Sequence, residues 1–562
     1  MITDLLKKLA RFAWLVPGFL LWAAYPPMGE RADVLFALAP LIWLSRRETS
    51  ARVVAWRWFL SGCVFWVATL SWMPAIVKNG GPWPLVVLGW FALAAYCAAY
   101  FAAYGLLSAR YWRWARDFAT DDEGILRSYG PRLLGVLLVE PILWCGLEFV
   151  RSRFGGGFAW NQLGVVPANS GFATPAALGG IYLLSAVVFL INGSIAGIAE
   201  RMWKPERSGF VRLRRLGTLE TLLAFGLVGG IYSIDGNRLP SSAVESEGSA
   251  LKVALIQRNF PCVFKTQEEN PYAVYERLLG LVSGLQPDLV VLAESAMCEF
   301  GPVDQQGAVR FADWVHDKTG AALLAGGTRH EEGLTYNSAA LYQWERSATA
   351  AGSPRQPSIG TYDKVHLVPF GEYIPGDKII TSLQKLAPVG SCTPGELQLL
   401  NLVPTTPYSS LIPHSSSIPL GIAICFEDTD SAQMRALARK GAQALVFITN
   451  DSWFSRSVEP EQHAWQAVAR AVETGLPVVR VGNSGVSGTI TPDGRASWLF
   501  GANGRPLVDR SGTMFDRISI ASASPQKPRT VYALIGDWPL AITFALFILA
   551  MILVKYAHSY EK

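Results

Sequence analysis

Three side chains in this sequence could between them carry out acyl transfer: Glu294, Lys364 and Cys425. Each sits in or at the end of a short apolar run: LVVLAES, YDKVHLV and GIAICFED. A carboxylate beside a thiol can take its proton as general base. An ammonium can lower the thiol pKa and face the oxyanion of a tetrahedral intermediate. The thiolate then attacks. Taken singly, each has an ordinary alternative, since a lone cysteine is commonly a small core residue. A glutamate at a strand end is commonly solvated, and a loop lysine is usually a surface charge. Two more carboxylates stand close in sequence, Glu372 after Lys364 and Glu427 after Cys425. The run into Cys425 reads as a buried strand that delivers its last side chain to a pocket rim. Ser431–Lys440 reads as a helix, and its positive end is expected to favour thiolate over thiol.

The elements that must hold these groups alternate. LKVALIQ, DLVVLAE, AALLAGG, NSAALYQ, IPLGIAIC, ALVFITN, PVVRVGN and SGTITP read as strands bounded by turn residues. Helical stretches lie between them at Tyr272–Leu285, Ala308–Lys318, Ser431–Lys440 and Pro460–Thr474. This pattern predicts one α/β domain over 251–532. A Ser-rich linker, 236–250, precedes it, and a Pro- and Ser-rich loop over 404–417 interrupts it.

The rest of the chain has another character. Of 562 residues, 51% are hydrophobic and 17% charged, with mean hydropathy +0.25. That is too apolar for an ordinary soluble protein and too long for one domain. The net charge of +5 gives no argument for nucleic acid. Many of the 20 Trp lie near the ends of apolar runs, as in membrane-interface belts. Residues 1–235 hold seven apolar segments of near bilayer length, at 10–26, 32–45, 53–74, 84–108, 133–150, 176–199 and 217–234. The second is short and could be partly re-entrant. An eighth lies within 533–562, so the expected architecture is a polytopic α-helical bundle of about eight spans plus the α/β domain. One set of loops carries eighteen basic residues and the alternate set four. The positive-inside rule then puts both termini in the cytoplasm and 251–532 on the far side. Glu140 and Glu148 fall inside the fifth segment, where a charge is costly and usually partnered. A Glu148–Arg151 pair is expected, and Glu140 is left without a role. The loop GGGFAWNQLG, with Trp160, could be a lipid-facing lip or a flexible turn.

The seven Cys form no CxxC pair, and the six His have no partner at metal-ligand spacing, so no metal or cofactor is expected. Cys63, Cys97 and Cys145 fall in membrane segments. Cys262, Cys298 and Cys392 share the side of Cys425, where disulfides can form, with no connectivity readable.

Glu294, Lys364 and Cys425, 70 and 61 residues apart, resemble the Glu–Lys–Cys triad of the nitrilase, or carbon–nitrogen hydrolase, superfamily. With a membrane bundle around it, and with AAYPPMGE, GGFAWNQLG, DKVHLVPFGEYIP, ICFE and NDSWFSRSVEPEQHAWQAVARAVE, nearly the whole chain is similar to the apolipoprotein N-acyltransferases. The resemblance implies an αββα sandwich in the periplasm, anchored in a bacterial inner membrane. It implies Cys425 as acylated nucleophile, Glu294 as base, Lys364 as oxyanion partner and Glu372 as support for the lysine. Glu427 would shape the pocket. It also implies two substrates, a phospholipid that donates its sn-1 acyl chain and a diacylated apolipoprotein whose N-terminal amine accepts it. The sequence departs from the family at Phe426 (often Tyr), Ala293 (usually Pro), Ala159 (often Pro) and Gly475-Leu476-Pro477 (commonly Arg-Pro). Thioester hydrolysis competes with transfer, so water must be kept out. Trp453 and Phe454, or Tyr373 and Ile374, could supply a lid or could be core. Two rivals stand beside this reading: a membrane-tethered amidase with water as acceptor, and an inactive lipoprotein-binding protein.

Overall fold

The computed structural model describes residues 12–118, 125–202, 210–235, 250–261, 270–344, 357–374, 391–404, 417–520 and 529–560. The linker 236–249, most of the loop 404–417 and Cys262 lie outside these. The chain falls into two compact units. One is Met1–Pro74, Trp83–Arg238 and Ile535–Lys562; the other is Ala75–Pro82 and Leu239–Leu534.

The first unit is helical and apolar. Four of its helices have the length and composition to cross a membrane: Ala51–Asn79, Trp83–Phe118, Tyr129–Arg151 and Ala176–Glu200. Three apolar helices are shorter, Ala13–Ala23, Thr218–Ser233 and Trp538–Val554. The expected segment 32–45 differs. It folds as a 3-10 turn, Arg31–Leu35, and a 9-residue helix, Ala39–Arg47. At about 1.5 Å per residue that helix covers under half of the roughly 30 Å hydrocarbon layer. Length and composition bring out four full-length spans among the described residues, beside the three shorter apolar helices.

The two intramembrane glutamates are held differently from expectation. Glu140 accepts from Arg46 Nε at 3.1 Å and from its terminal nitrogen at 2.6 Å, and from Trp112 Nε1 at 2.8 Å. Both charged side chains of this pair are 1% exposed. Glu148 is not paired with Arg151. It accepts the Leu163 N–H at 2.9 Å, while Arg151 donates to the Trp160 carbonyl and lies over the Trp66 ring. A buried pair costs most when one partner is removed, because the other charge is stranded. Glu140→Gln should therefore destabilise the bundle by about 3 kcal/mol, and Arg46→Met with Glu140→Leu should recover most of that. Thermal melting in detergent reads both.

The second unit is a sandwich. Its strands are β1 (Ala250–Gln257), β2 (Leu289–Leu292), β3 (Ala322–Glu331), β4 (Leu334–Gln343), β5 (Ser358–Asp363), β6 (Leu399–Leu402), β7 (Ile418–Ile424), β8 (Ala444–Thr449), β9 (Val478–Gly482), β10 (Gly488–Ile490), β11 (Ala496–Trp498) and β12 (Gly512–Ser519). They form two six-stranded sheets, β12-β1-β2-β3-β4-β5 and β11-β10-β9-β8-β7-β6. The inner faces meet through Leu251, Val253, Leu289 and Val291 of one sheet and Ile422, Ile424, Val446 and Ile448 of the other. Helices α1 (Pro271–Gly280) and α2 (Gln306–Thr319) cover the outer face of the first sheet through Tyr275, Leu278 and Phe311. Helices α3 (Ser431–Arg439) and α4 (Glu459–Thr474) cover the second through Leu437, Val468 and Ala471. Four layers result, α, β, β, α. The central strands are buried on both faces, which is why they read as continuous Val, Leu and Ile runs.

Candidate active site

The site forms where strand ends of both sheets converge. Glu294 lies two residues past β2, Lys364 one past β5, and Cys425 one past β7. Cys425 has φ +55°, and a 3-10 turn, Cys425–Thr429, begins at it. A residue with a Cβ in that left-handed region costs about 1 kcal/mol, which the packing on both sides must overcome.

Asn337, on β4, ties the charged groups together. Its Nδ2 donates to Glu294 Oε1 at 2.7 Å and to Glu372 Oε1 at 2.6 Å. Lys364 Nζ stands 2.9 Å from Glu372 Oε1 and 3.8 Å from Glu294 Oε1, and the lysine is 1% exposed. The Asn450 N–H donates to Glu294 Oε2 at 2.8 Å, and the Val368 N–H donates to Glu372 Oε2 at 2.8 Å. Glu294 is thus gripped on both oxygens. Sequence reasoning missed Asn337; its only signal was a polar residue opening the apolar run NSAALYQ.

The electrostatics of the cluster follow from burial and neighbouring charge. Burial alone would pull the Lys364 ammonium down, but Glu372 and Glu294 outweigh it and hold the lysine charged. Burial raises the Glu372 carboxyl, and Lys364 outweighs that and pulls it below its ordinary value. Burial pushes Glu294 up, against the pull of Lys364 and with a further push from Glu372. A carboxylate with a raised pKa is the better proton acceptor. The expectation of a resting thiolate at Cys425 is overturned. Burial pushes the thiol well up, Glu294 pushes it further, and Lys364 only partly offsets them. The helix cannot help, because α3 starts at Ser431 and is capped by Asp430, whose Oδ1 accepts the Ala432 and Gln433 N–H groups at 2.8 and 3.3 Å. The surroundings therefore favour thiol over thiolate at Cys425.

Glu427 fastens the lysine loop to the nucleophile turn. Its Oε1 accepts the Val365 and His366 N–H groups at 2.8 and 3.0 Å, and its Oε2 accepts the Ile424 N–H at 2.8 Å. The Tyr362 hydroxyl lies 3.0 Å from both oxygens. Glutamine has one acceptor oxygen where four donors converge, so Glu427→Gln turns its amide against an N–H. A displacement of about 1 Å at the reacting atoms suffices for a roughly 100-fold loss. Acylation kinetics of Glu427→Gln check this, with a melting point lower than that of the parent protein.

Of the expected rim residues, Trp453 is 42% exposed, while Phe454, Tyr373 and Phe426 are half-buried. Phe426 meets His366 edge-on at 6.1 Å. Ile374 is buried and acts as core. Trp160 belongs to the helical unit, where it is 2% exposed against Trp72 and Phe158. It is bundle interior, not an exposed lip. Phe370, which the sequence reading passed over, is 66% exposed with φ +61°. Cys298 and Cys392 are free thiols. Among the described residues one group, Asp451, Glu459 and His463, gathers possible metal ligands within 4.8 Å. Both nitrogens of His463 are already engaged by carboxylates, which leaves no lone pair for a cation.

Residues 17–194 match the family described as apolipoprotein N-acyltransferase N-terminal domain, and residues 252–527 match the carbon-nitrogen hydrolase family. A protein of Geobacter metallireducens called apolipoprotein N-acyltransferase is 31% identical over 492 residues, 85% of this chain and 84% of that one. One of the same name from Gloeobacter violaceus is 27% identical over 554 residues, covering 95% and 92%. Another, from Allorhizobium ampelinum, is 29% identical over 506 residues, covering 84% of each.

Proposed function

Since this chain belongs to the apolipoprotein N-acyltransferase family, an enzyme family that N-acylates lipoproteins, we propose that it works by carrying the acyl chain on Cys425 as a thioester. Glu294 takes the proton from Cys425 Sγ as the sulfur attacks the sn-1 ester carbonyl of a phospholipid. The oxyanion faces Lys364 Nζ. Collapse breaks the ester C–O bond, and Glu294 returns the proton to the departing lysophospholipid oxygen. The N-terminal amine of the diacylglyceryl-cysteine then attacks the thioester. Glu294 receives the amine proton, the C–S bond breaks, and the proton goes back to the sulfur. A thioester is reactive enough to acylate an amine, and two steps avoid a three-body encounter.

The observation that carries this reading is the gripping of Glu294 and Lys364, through Asn337, Glu372 and Asn450, where the Cys425 turn arrives from the other sheet. The same reading gives the bundle eight crossings, both termini in the cytoplasm and the sandwich in the periplasm, on the strength of eighteen basic residues against four. Incubation with labelled phospholipid and a diacylated lipopeptide tests the function. A triacylated product together with lysophospholipid is expected. Release of free fatty acid with no triacylated product would make the protein a hydrolase instead.

A further inference from the structure

A buried charged network lies behind the nucleophile, and no part of the chemistry above uses it. Asp428 belongs to the Cys425–Thr429 turn. Its Oδ1 lies 3.1 Å from His463 Nε2, and its Oδ2 pairs with Arg480 of β9. The other ring nitrogen, Nδ1, lies 2.9 Å from Asp451 Oδ1, which also accepts the Thr449 hydroxyl at 2.7 Å. Asp451 opens a second 3-10 turn, Asp451–Phe454. It directly follows Asn450, the residue whose N–H holds Glu294 Oε2. Glu459, one turn before His463 on α4, stands 3.5 Å from Nδ1, and Arg480 reaches to 3.7 Å from Asp451 Oδ2. All five charged residues are buried.

Both partners of the imidazole are carboxylates, which only accept, so both ring nitrogens must donate. Burial alone would pull the pKa of His463 down, but Asp428 and Asp451 outweigh burial and the opposing Arg480 and hold it up at about 10. Burial, with Asp451 adding to it, pushes Glu459 well above the carboxylate range. Asp428 and Asp451 then face His463 and Arg480, a pairing of opposite charges that lets such a cluster stay buried.

We propose that His463 is a positioning residue for acyl transfer, its two N–H groups fixing the turn that carries Cys425 to the turn that holds Glu294. The imidazole links the turns that follow β7 and β8, so it sets how far the thiol stands from its base. A neutral side chain with one donor group can satisfy one turn or the other, and the thiol-to-base distance is then no longer fixed.

This inference rests on Cys425 and Glu294 acting as described, so the test separates the two. The full-length protein is exposed to phospholipid, and acyl-enzyme formation is timed by intact mass. In His463→Gln, acylation is expected to slow about 100-fold. Alkylation of Cys425 by iodoacetamide at a fixed neutral pH, where His463 keeps both protons, does not draw on the thiol-to-base distance and should stay near the parent rate. Placed on Glu294→Gln, the same change should add little, because the distance it controls has lost its purpose. Parent-like acylation by His463→Gln, a parallel fall in alkylation, or a loss that multiplies onto Glu294→Gln would overturn the proposal. Should His463→Gln fail to fold, Asp451→Asn, close in size, carries the same three readouts. If the parent protein itself takes no acyl chain on Cys425, it is the thioester reading that falls.

Discussion

Cys425→Ser is expected to abolish acyl-enzyme formation, and with it transfer to the lipopeptide, by about 10⁴-fold or more. The substitution is small in volume, and serine tolerates the left-handed φ of +55° no worse than cysteine. The change should therefore leave unfolding within about 1 kcal/mol of the parent. What changes is acidity. A buried thiol, even one pushed up by burial and Glu294, is still far more acidic than an alcohol. A carboxylate can draw a proton from sulfur in the transition state and cannot do so usefully from an unassisted hydroxyl. Intact mass after exposure to phospholipid should show one added acyl chain on the parent and none on the variant. Neutral hydroxylamine should strip the chain from the parent, as it does a thioester. An acyl chain of equal yield on Cys425→Ser would end the thioester scheme.

The three proposed residues were legible because they sit at strand ends, and strand ends are where apolar runs stop. DLVVLAE and IPLGIAIC are buried on both faces in β2 and β7, so each announces its position by continuous hydrophobicity. Eight strands were readable for the same reason. The four that were not, β5, β6, β11 and β12, are the edges of the two sheets. An edge strand is covered on fewer sides and is often broken by charge, and β12 carries the half-buried Asp516 and the exposed Arg517. Asn337 and His463 were invisible for a different reason. Their importance lies in which carboxylates they touch, and those come from segments up to 43 residues away for Asn337 and 35 for His463. The thiolate expectation failed because burial and the Glu294 charge outweigh Lys364, and the helix end does not offset them. The turn Cys425–Thr429 intervenes before α3, and Asp430 spends the helix N-terminus on itself. In the membrane part, hydropathy marked where apolar residues lie, and the shortness of the second apolar segment agrees with the 9-residue helix Ala39–Arg47.

Glu294→Gln should move two properties of Cys425 in opposite directions. Acyl transfer should fall by about 10²- to 10⁴-fold, the usual worth of a positioned general base. The thiol should become easier to ionise, because after burial the Glu294 charge is the largest influence pushing Cys425 up. Iodoacetamide alkylation at a fixed pH below the thiol pKa should then be faster in the variant, while acylation by phospholipid is slower. A variant that was merely misfolded would lose both together. The fold should survive with a modest penalty. Asn337 and the Asn450 N–H each donate to one Glu294 oxygen, and glutamine offers only one, which leaves a donor facing a donor at about 1–3 kcal/mol. The pH profile supplies the sign. Burial raises the Glu294 carboxyl, so in the parent the base is present above that raised pKa and is lost as pH falls through it. Acylation by the parent should drop on that acid limb, whereas the small residual rate of Glu294→Gln should show no such limb. Equal alkylation and equal acylation in the two proteins would take the proton away from Glu294 and require another acceptor beside Cys425.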